Sequence, residues 1–218
     1  MVKQDLQPRR QSSGSSVAIL AIAPVVLFGA VLYHPFIARL PDSAAVGEAM
    51  AADTFRWGLS HLAVAVGAGL VLSAFVVIRR ILAEAGENRW SAIGLPFVAI
   101  GSVLFAVLPG MEVGVMAAVK ASGVGAEGAG AAQAALDPWF IPTLVSSSVL
   151  FLIGAVGFAG GIIRSEVLSP ALTRVVAWGL AIMALARFVP LGAALHVSAL
   201  AATVALWSLA YELRKRHA

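Results

Sequence analysis

Six long apolar stretches, separated by polar segments, dominate the hydrophobic pattern of the chain. Each has about the 20 residues that an α-helix needs to cross roughly 30 Å of hydrocarbon. Trp57, Trp90 and Trp139 each stand where a stretch begins, which is typical of rings that lie in the headgroup layer. The pattern therefore predicts an all-α, polytopic membrane bundle of six transmembrane helices. They run from Val17 to Pro35, Trp57 to Ile78, Trp90 to Leu108, Trp139 to Ile163, Ala171 to Val189 and Gly192 to Tyr211.

The composition agrees with lipid as the main solvent of the chain. Of its 218 residues, 60% are hydrophobic and only 12% are charged, and the mean hydropathy is +0.93. Soluble domains carry about twice that charge. The pI near 10.1 raises the question of nucleic acid, but the basic residues flank the apolar stretches and form no stripe, so we expect no nucleic acid partner. The absence of cysteine excludes disulfides, thiolate catalysis and sulfur-rich metal sites.

Lysine and arginine are distributed unevenly between the two sides of the predicted bundle. If the N-terminus is cytoplasmic, the outer side or outer membrane half receives Arg39, Arg56, Lys120 and Arg187. The positive-inside rule then predicts a multi-pass protein of the cell membrane with both termini in the cytoplasm. The inner side receives Lys3, Arg9, Arg10, Arg79, Arg80, Arg89, Arg164, Arg174, Arg214, Lys215 and Arg216.

We expect a single transmembrane domain with two cytoplasmic tails. Residues 1–16 form a disordered tail, residues 17–213 the six-helix domain and residues 214–218 a basic tail. Two outer connections are long. Residues 36–56 contain good helix formers that can lie along the membrane surface. Residues 112–138 are rich in Ala and Gly and form either a mobile flap or an extension of the third helix.

Two local motifs concern how the helices end and pack. Pro109 and Gly110 are expected to loosen the end of the third helix. Gly157 and Gly161 form a GxxxG motif in the fourth helix, where missing side chains let another helix approach closely. The motif serves either packing inside the bundle or a homodimer.

Five ionisable side chains lie near the outer ends of five different predicted helices: His34, His61, Glu112, Arg187 and His196. Ionisable groups within membrane helices are costly and usually face the bundle interior or a water-filled cavity. We therefore expect these five groups to converge in one outward-facing pocket.

This set of side chains suits a metal or a haem. His34, His61, Glu112 and His196 are sufficient ligands for one zinc, iron or copper ion. A metal-bound water would make the protein a membrane hydrolase. The catalytic candidates are Glu112 and Arg187, the arginine holding an anionic substrate group or pairing with Glu112. Alternatively, His61 and His196 ligate haem b. Neither hypothesis has a diagnostic motif such as HExxH behind it.

Other functions fit the same residues. A transporter or sensor would bind a lipid, a small molecule or protons in this pocket, with the Gly-rich segment after Glu112 as a gate. A structural subunit of a membrane complex would carry no chemistry. The histidines would then donate to carbonyls freed at helix ends, and Arg187 would extend outward to the interface.

Four short motifs resemble those of a known group. They are "YHP" closing the first span, "WGLSHL" opening the second, "PGME" closing the third and "LH" opening the sixth. In these the chain resembles uncharacterised six-span integral membrane proteins of actinobacteria. The resemblance implies about six helices and no particular activity.

Overall fold

The structure, a computed structural model, describes residues 11–217. Within this range the chain is helical, and six of its helices are long and apolar enough to cross a membrane. The prediction of an all-α bundle with six transmembrane helices is confirmed, whereas the orientation of the termini stays a prediction. The helices are α1 (Gln11–Tyr33), α2 (Ser43–Ala52), α3 (Thr54–Glu84), α4 (Trp90–Ser122), α5 (Ala126–Ser165), α6 (Pro170–Leu185) and α7 (Gly192–His217), with a 3₁₀ turn at Ala186–Phe188.

The six long helices form a closed ring. Each packs against the next along the chain, and α7 packs against α1. The ring encloses an aromatic core in which the Phe75 ring lies 5.6 Å from Phe151 and 4.8 Å from Phe158. Large apolar side chains also stay exposed on every long helix, as expected where lipid tails surround the protein. Examples are Ile22, Val76, Ile100, Ile153, Ile182 and Leu200.

Helices α4 and α5 are longer than a membrane requires. They contain 33 and 40 residues, about 50 and 60 Å at 1.5 Å per residue. The C-terminal end of α4 and the N-terminal end of α5 therefore extend beyond the hydrocarbon. A turn in which Gly123 has a φ of +69° joins them. The Gly-rich segment is mostly helical: residues 112–122 extend the third helix as one alternative predicted, whereas residues 126–138 belong to the fourth.

The predicted end of the third helix at Leu108 was wrong. Helix α4 continues through Pro109 and Gly110 to Ser122, because a membrane protein tolerates a proline where neighbouring helices support the backbone. The fourth helix likewise begins at Ala126 and passes through Pro138 and Pro142. Glu112 consequently lies inside a continuous helix.

A cap covers the end of the bundle where α1 ends and α3 and α7 begin. We use this name for α2, residues 113–122 of α4 and residues 126–137 of α5. Helix α2 packs on α5 rather than standing alone at the surface. Asp42 stabilises the N-terminus of α2, because its carboxylate accepts a hydrogen bond from the backbone N–H of Ala45 at 3.0 Å. A separate apolar cluster joins the cap to the bundle, in which Val46, Met50, Val119 and Ala129 of the cap are grouped with Ile37 and Trp57.

The predicted tails overlap with helices in the described range. Helix α1 begins at Gln11, inside the predicted N-terminal tail, and α7 continues to His217, inside the predicted C-terminal tail. The rest of the N-terminal tail, residues 1–10, lies outside the described residues, as does residue 218.

Gly157 and Gly161 are both buried within the chain. A Cβ atom on Gly157 would lie 3.0 Å from the Cα of Gly94, and one on Gly161 would lie 2.9 Å from a carboxylate oxygen of Glu87. The motif thus serves close packing inside the bundle, and the homodimer stays a prediction.

Glu87 organises the start of α4, at the end of the bundle opposite the cap. Its carboxylate accepts from the backbone N–H groups of Arg89, Trp90 and Ser91 at 2.8, 2.6 and 3.1 Å, and from the Ser91 hydroxyl at 2.6 Å. Burial by itself raises the pKa of Glu87, but the hydrogen bonds from Ser91, Trp90 and Arg89 together lower the pKa below its ordinary value. The charged form is therefore favoured in the folded state.

Replacing Glu87 with Gln is expected to lower the free energy of unfolding at pH 7 by about 1.5 kcal/mol, since a capping carboxylate is lost. Because the folded pKa is lowered, the stabilisation is complete above the ordinary pKa of 4.5 and is lost as the pH falls through the folded value. Thermal unfolding in detergent at pH 7 and pH 3 measures both effects. Glu84→Gln is the matched control, because the Glu84 side chain is 72% exposed. A Glu87→Gln deficit that is equally large at both pH values contradicts the prediction.

Candidate functional site

A cavity of about 150 Å³ lies beneath the cap. Most of its lining is apolar, with side chains from α1, α3, α4, α5 and α7. Four of the five residues predicted to converge line it: His34, His61, Glu112 and His196. The structure therefore brings together residues that are up to 162 positions apart in the sequence.

The polar centre of the cavity wall is a buried contact between α3 and α4. His61 Nε2 lies 2.6 Å from Glu112 Oε2, and the two residues are 3% and 9% exposed. Glu112 reaches the histidine because α4 continues past Pro109. His61 lies on α3, one turn after Trp57.

The hydrogen bond of His61 Nδ1 determines which protons the His61–Glu112 pair carries. His61 Nδ1 is 2.7 Å from the carbonyl oxygen of Trp57. A carbonyl only accepts, so Nδ1 carries a hydrogen. One proton then remains between Nε2 and the carboxylate: either an imidazolium donates to Glu112 or a protonated Glu112 donates to the imidazole. In either form the shared proton is used within the pair, so the intact pair offers a ligand only the remaining lone pairs of the Glu112 carboxyl group, as a hydrogen-bond acceptor.

His34 lies directly behind this pair, one residue after the end of α1. Its ring centroid is 4.8 Å from that of His61 and 5.2 Å from that of Trp57. Nδ1 donates to the carbonyl of Pro35 at 2.7 Å. Burial, and then the neighbouring His61, lower the pKa of His34 to about 4. The imidazole is therefore neutral at pH 7, with a lone pair at Nε2.

His196 belongs to the first turns of α7 and is partly buried. Its Nδ1 donates to the carbonyl of Gly192 at 3.2 Å, so all three cavity histidines use Nδ1 for a backbone carbonyl. This is the arrangement that metal-bound histidines usually adopt. Nevertheless, no three His, Cys, Asp or Glu side chains of the described residues are grouped so as to hold a metal ion. The metal site stays a prediction.

Arg187, the fifth predicted residue, does not line the cavity. It sits in the 3₁₀ turn after α6, with its guanidinium carbon 3.8 Å from the centroid of the Phe151 ring and 4.4 Å from that of Phe105. These ring faces stabilise the cation. Its Nη1 atom is buried without a hydrogen-bond partner. No ion pair with Glu112 is present among the described residues, and the catalytic roles of both residues stay predictions.

Sequence reasoning missed several polar residues of the cavity wall, among them Trp57, Gln133 and Asp137. Trp57 was interpreted only as a headgroup marker, and the other two fall in the Gly-rich segment. The available signal was the presence of Gln133 and Asp137 among alanines and glycines. Each of the three has a buried atom without a hydrogen-bond partner: Trp57 Nε1, Gln133 Oε1 and Asp137 Oδ1.

A second, open groove runs between α3 and α4 on the outside of the bundle. Its lining includes Leu59 and Leu62, which are 41% and 60% exposed. His61 and Pro109 line both this groove and the cavity beneath the cap. The imidazole therefore lies between a surface that faces lipid and the cavity beneath the cap.

Comparisons of the chain with family models, curated proteins and solved structures found no match. The resemblance to actinobacterial six-span proteins accordingly stays a prediction, and the interpretation of this site rests on its own geometry.

Proposed function

We propose that this integral membrane protein binds a small molecule in the cavity beneath the cap, and that His61 and Glu112 form the polar contact for the ligand. The observation that carries the proposal is the buried His61–Glu112 contact in the wall of a mostly apolar cavity. Binding sites for small molecules are typically apolar spaces with a few polar groups of this kind. Such a site suits a receptor or a transporter.

The size of the cavity limits the ligand. At about 150 Å³, it matches engineered protein cavities that hold benzene. A ligand with a single ring or a short branched chain fits without rearrangement of the cap.

The groove between α3 and α4 supports entry from the bilayer. A small apolar compound concentrates in lipid, and the groove holds it against the outer side of His61 and Pro109. These two residues separate the groove from the cavity, so a shift of α3 against α4 would connect the two spaces. The ligand need not cross the cap.

Photolabelling tests the proposal. A diazirine derivative of benzyl alcohol is added to the detergent-purified full chain, and labelled residues are mapped by mass spectrometry. Leu144→Trp, which fills the cavity from α5, is expected to reduce labelling of the cavity wall at least tenfold. Val145→Trp is the control, because Val145 is 52% exposed and lies outside the cavity. Equal labelling in both variants contradicts the proposal.

A metal ion is the second candidate, favoured by the shared use of Nδ1 in the three histidines. This leaves Nε2 of His34 and His196 as lone-pair donors, but Glu112 must release Nε2 of His61 before that atom can bind a metal. A single ion suits the cavity volume better than haem b, whose four pyrrole rings greatly exceed the size of benzene.

If a metal binds, His34→Ala and His196→Ala are each expected to lower the metal content of protein purified without chelator by more than half. Neither substitution removes a partner of the His61–Glu112 contact, so we expect the bundle to stay folded. Elemental analysis for zinc, iron and copper, together with a visible absorption spectrum, measures the outcome. Unchanged metal content in both variants contradicts this candidate.

A further inference from the structure

We propose that two arginines gathered at the Trp90 ring bind the phosphate group of an anionic membrane phospholipid. The site lies at the end of the bundle opposite the cap, where α4 begins and α5 ends. We call Arg89, Trp90 and Arg164 the Trp90 patch. The inference goes beyond the proposed function and does not depend on it, since the cavity lies at the other end of the bundle.

The Trp90 ring brings together cations from two helices. The guanidinium carbon of Arg164 lies 4.4 Å from the ring centroid, and that of Arg89 lies 5.9 Å from it. Attraction between each cation and the ring favours these contacts. The ring itself packs closely on α5, where a Cβ atom on Gly160 would lie 3.5 Å from it. The two positive charges repel each other, so an anion that contacts both stabilises the arrangement.

Carboxylates of the protein do not neutralise the two arginines. Within residues 11–217, neither Arg89 nor Arg164 forms an ion pair with a carboxylate. The Glu87 carboxylate already accepts four hydrogen bonds at the start of α4. Glu84 lies 3.8 Å from Arg80 instead. The patch therefore keeps a positive charge that a ligand can neutralise.

Most N–H donors of the arginines remain available to a ligand. The Arg89 side chain donates to no other described residue, and Arg164 uses only Nη1, which donates to a backbone carbonyl of its own helix at 3.4 Å. Arg79 adds a third guanidinium nearby and uses two donors to hold the turn between α3 and α4, at 3.4 and 3.2 Å. A guanidinium carries five N–H donors in a fork that matches phosphate oxygens.

The surroundings of the patch fit a lipid. Trp90 is the first residue of α4, and tryptophans at such positions lie at the depth of the lipid headgroups. Exposed apolar residues continue from both arginines towards the membrane centre, namely Ile93, four residues after Arg89, and Val156, eight residues before Arg164. An acyl chain can lie on this surface while its phosphate contacts the arginines. A free phosphate ion would leave the apolar surface unused.

The charge of the headgroup determines which lipid the patch prefers. Phosphatidylglycerol presents a phosphate with no cation beside it, whereas phosphatidylcholine carries a quaternary ammonium group that the arginines repel. Basic residues near a membrane surface attract anionic lipids in this way. We therefore expect a preference for the anionic lipid.

Native mass spectrometry of the detergent-purified full chain tests the inference. Dioleoyl phosphatidylglycerol is expected to bind about tenfold more tightly than dioleoyl phosphatidylcholine, which has the same acyl chains. In the double variant Arg89→Gln and Arg164→Gln, the two lipids are expected to bind equally. Both arginines are exposed, so we expect the double variant to fold. Equal binding of the two lipids to the unsubstituted protein overturns the inference.

The control removes the same charge at the same end of the bundle. Arg174 and Arg214 are exposed, and neither lies over an aromatic ring of the described residues. The double variant Arg174→Gln and Arg214→Gln is expected to keep the preference for phosphatidylglycerol. If the control loses the preference as fully as the patch variant, only net charge matters and the site is overturned. Displacement of the lipid by excess inorganic phosphate likewise overturns it in favour of a soluble anion.

Trp90→Leu tests whether the ring holds the arginines in place. The substitution keeps an apolar side chain but removes the face that attracts the cations, so the preference for phosphatidylglycerol is expected to fall about threefold. Trp178→Leu is the control, because Trp178 is exposed on α6 and has no cation over its ring within the described chain. An unchanged preference in Trp90→Leu overturns the assignment of the site to the Trp90 ring.

Discussion

Replacing Glu112 with Ala is expected to lower the free energy of unfolding by about 3 kcal/mol. The substitution leaves His61 Nε2, which now lies 2.6 Å from the carboxylate, without a partner in a residue that is 3% exposed. Movement of His61 to find water is opposed by its Nδ1 bond to Trp57 and by the rings of His34 and Trp57 around it. The cost is therefore that of an isolated buried polar group.

Glu112→Gln separates the hydrogen bond from the carboxyl group. The glutamine amide can donate to a neutral His61, so we expect a loss of only about 1 kcal/mol. Glu127→Ala is the control, because Glu127 is an exposed residue of the cap and such changes usually stay within about 0.5 kcal/mol. Thermal unfolding in detergent ranks the three variants. If Glu112→Ala is no worse than Glu127→Ala, the contact does not stabilise the bundle.

Replacing Gly47 with Ala is expected to destabilise the protein by about 2 kcal/mol and to separate α2 from α5. A Cβ atom here would lie 2.6 Å from the Ala126 carbonyl oxygen and 2.7 Å from the Gly130 Cα, besides meeting the Gly130 amide nitrogen. These are backbone atoms that cannot rotate away. The only relief is a shift of the whole of α2.

Gly114→Ala is the matched control for this change, with the opposite expected sign. A Cβ on Gly114 meets nothing within 4 Å, so alanine is expected to stabilise α4 by up to about 1 kcal/mol through its higher helix propensity. Hydrogen exchange of residues 43–52 is expected to rise in Gly47→Ala and not in Gly114→Ala. Exchange in α2 that is equal in both variants contradicts the close packing of α2 on α5.

The outcome for the six spans illustrates what an amino-acid pattern can predict in a membrane protein. Whether a segment crosses the bilayer depends on the hydrophobicity of about 20 consecutive residues, which is a local property. The same holds for the tryptophans at the starts of spans and for the position of the ionisable groups within the spans, which lie towards one end. Four of the five polar residues expected together do line one cavity, because depth in the membrane follows from position along each helix.

Sequence by itself therefore determined the number of spans, the all-α class and the end of the bundle at which polar groups collect. Tertiary structure decided that α4 continues past Pro109, that α2 closes over the cavity and that Arg187 stacks on Phe105 and Phe151 instead of joining Glu112. It also brought Gln133 and Asp137 to the cavity wall. The physical reason is that these features depend on the rotation of each helix about its axis and on contacts between helices, which follow from packing against neighbours distant in the chain.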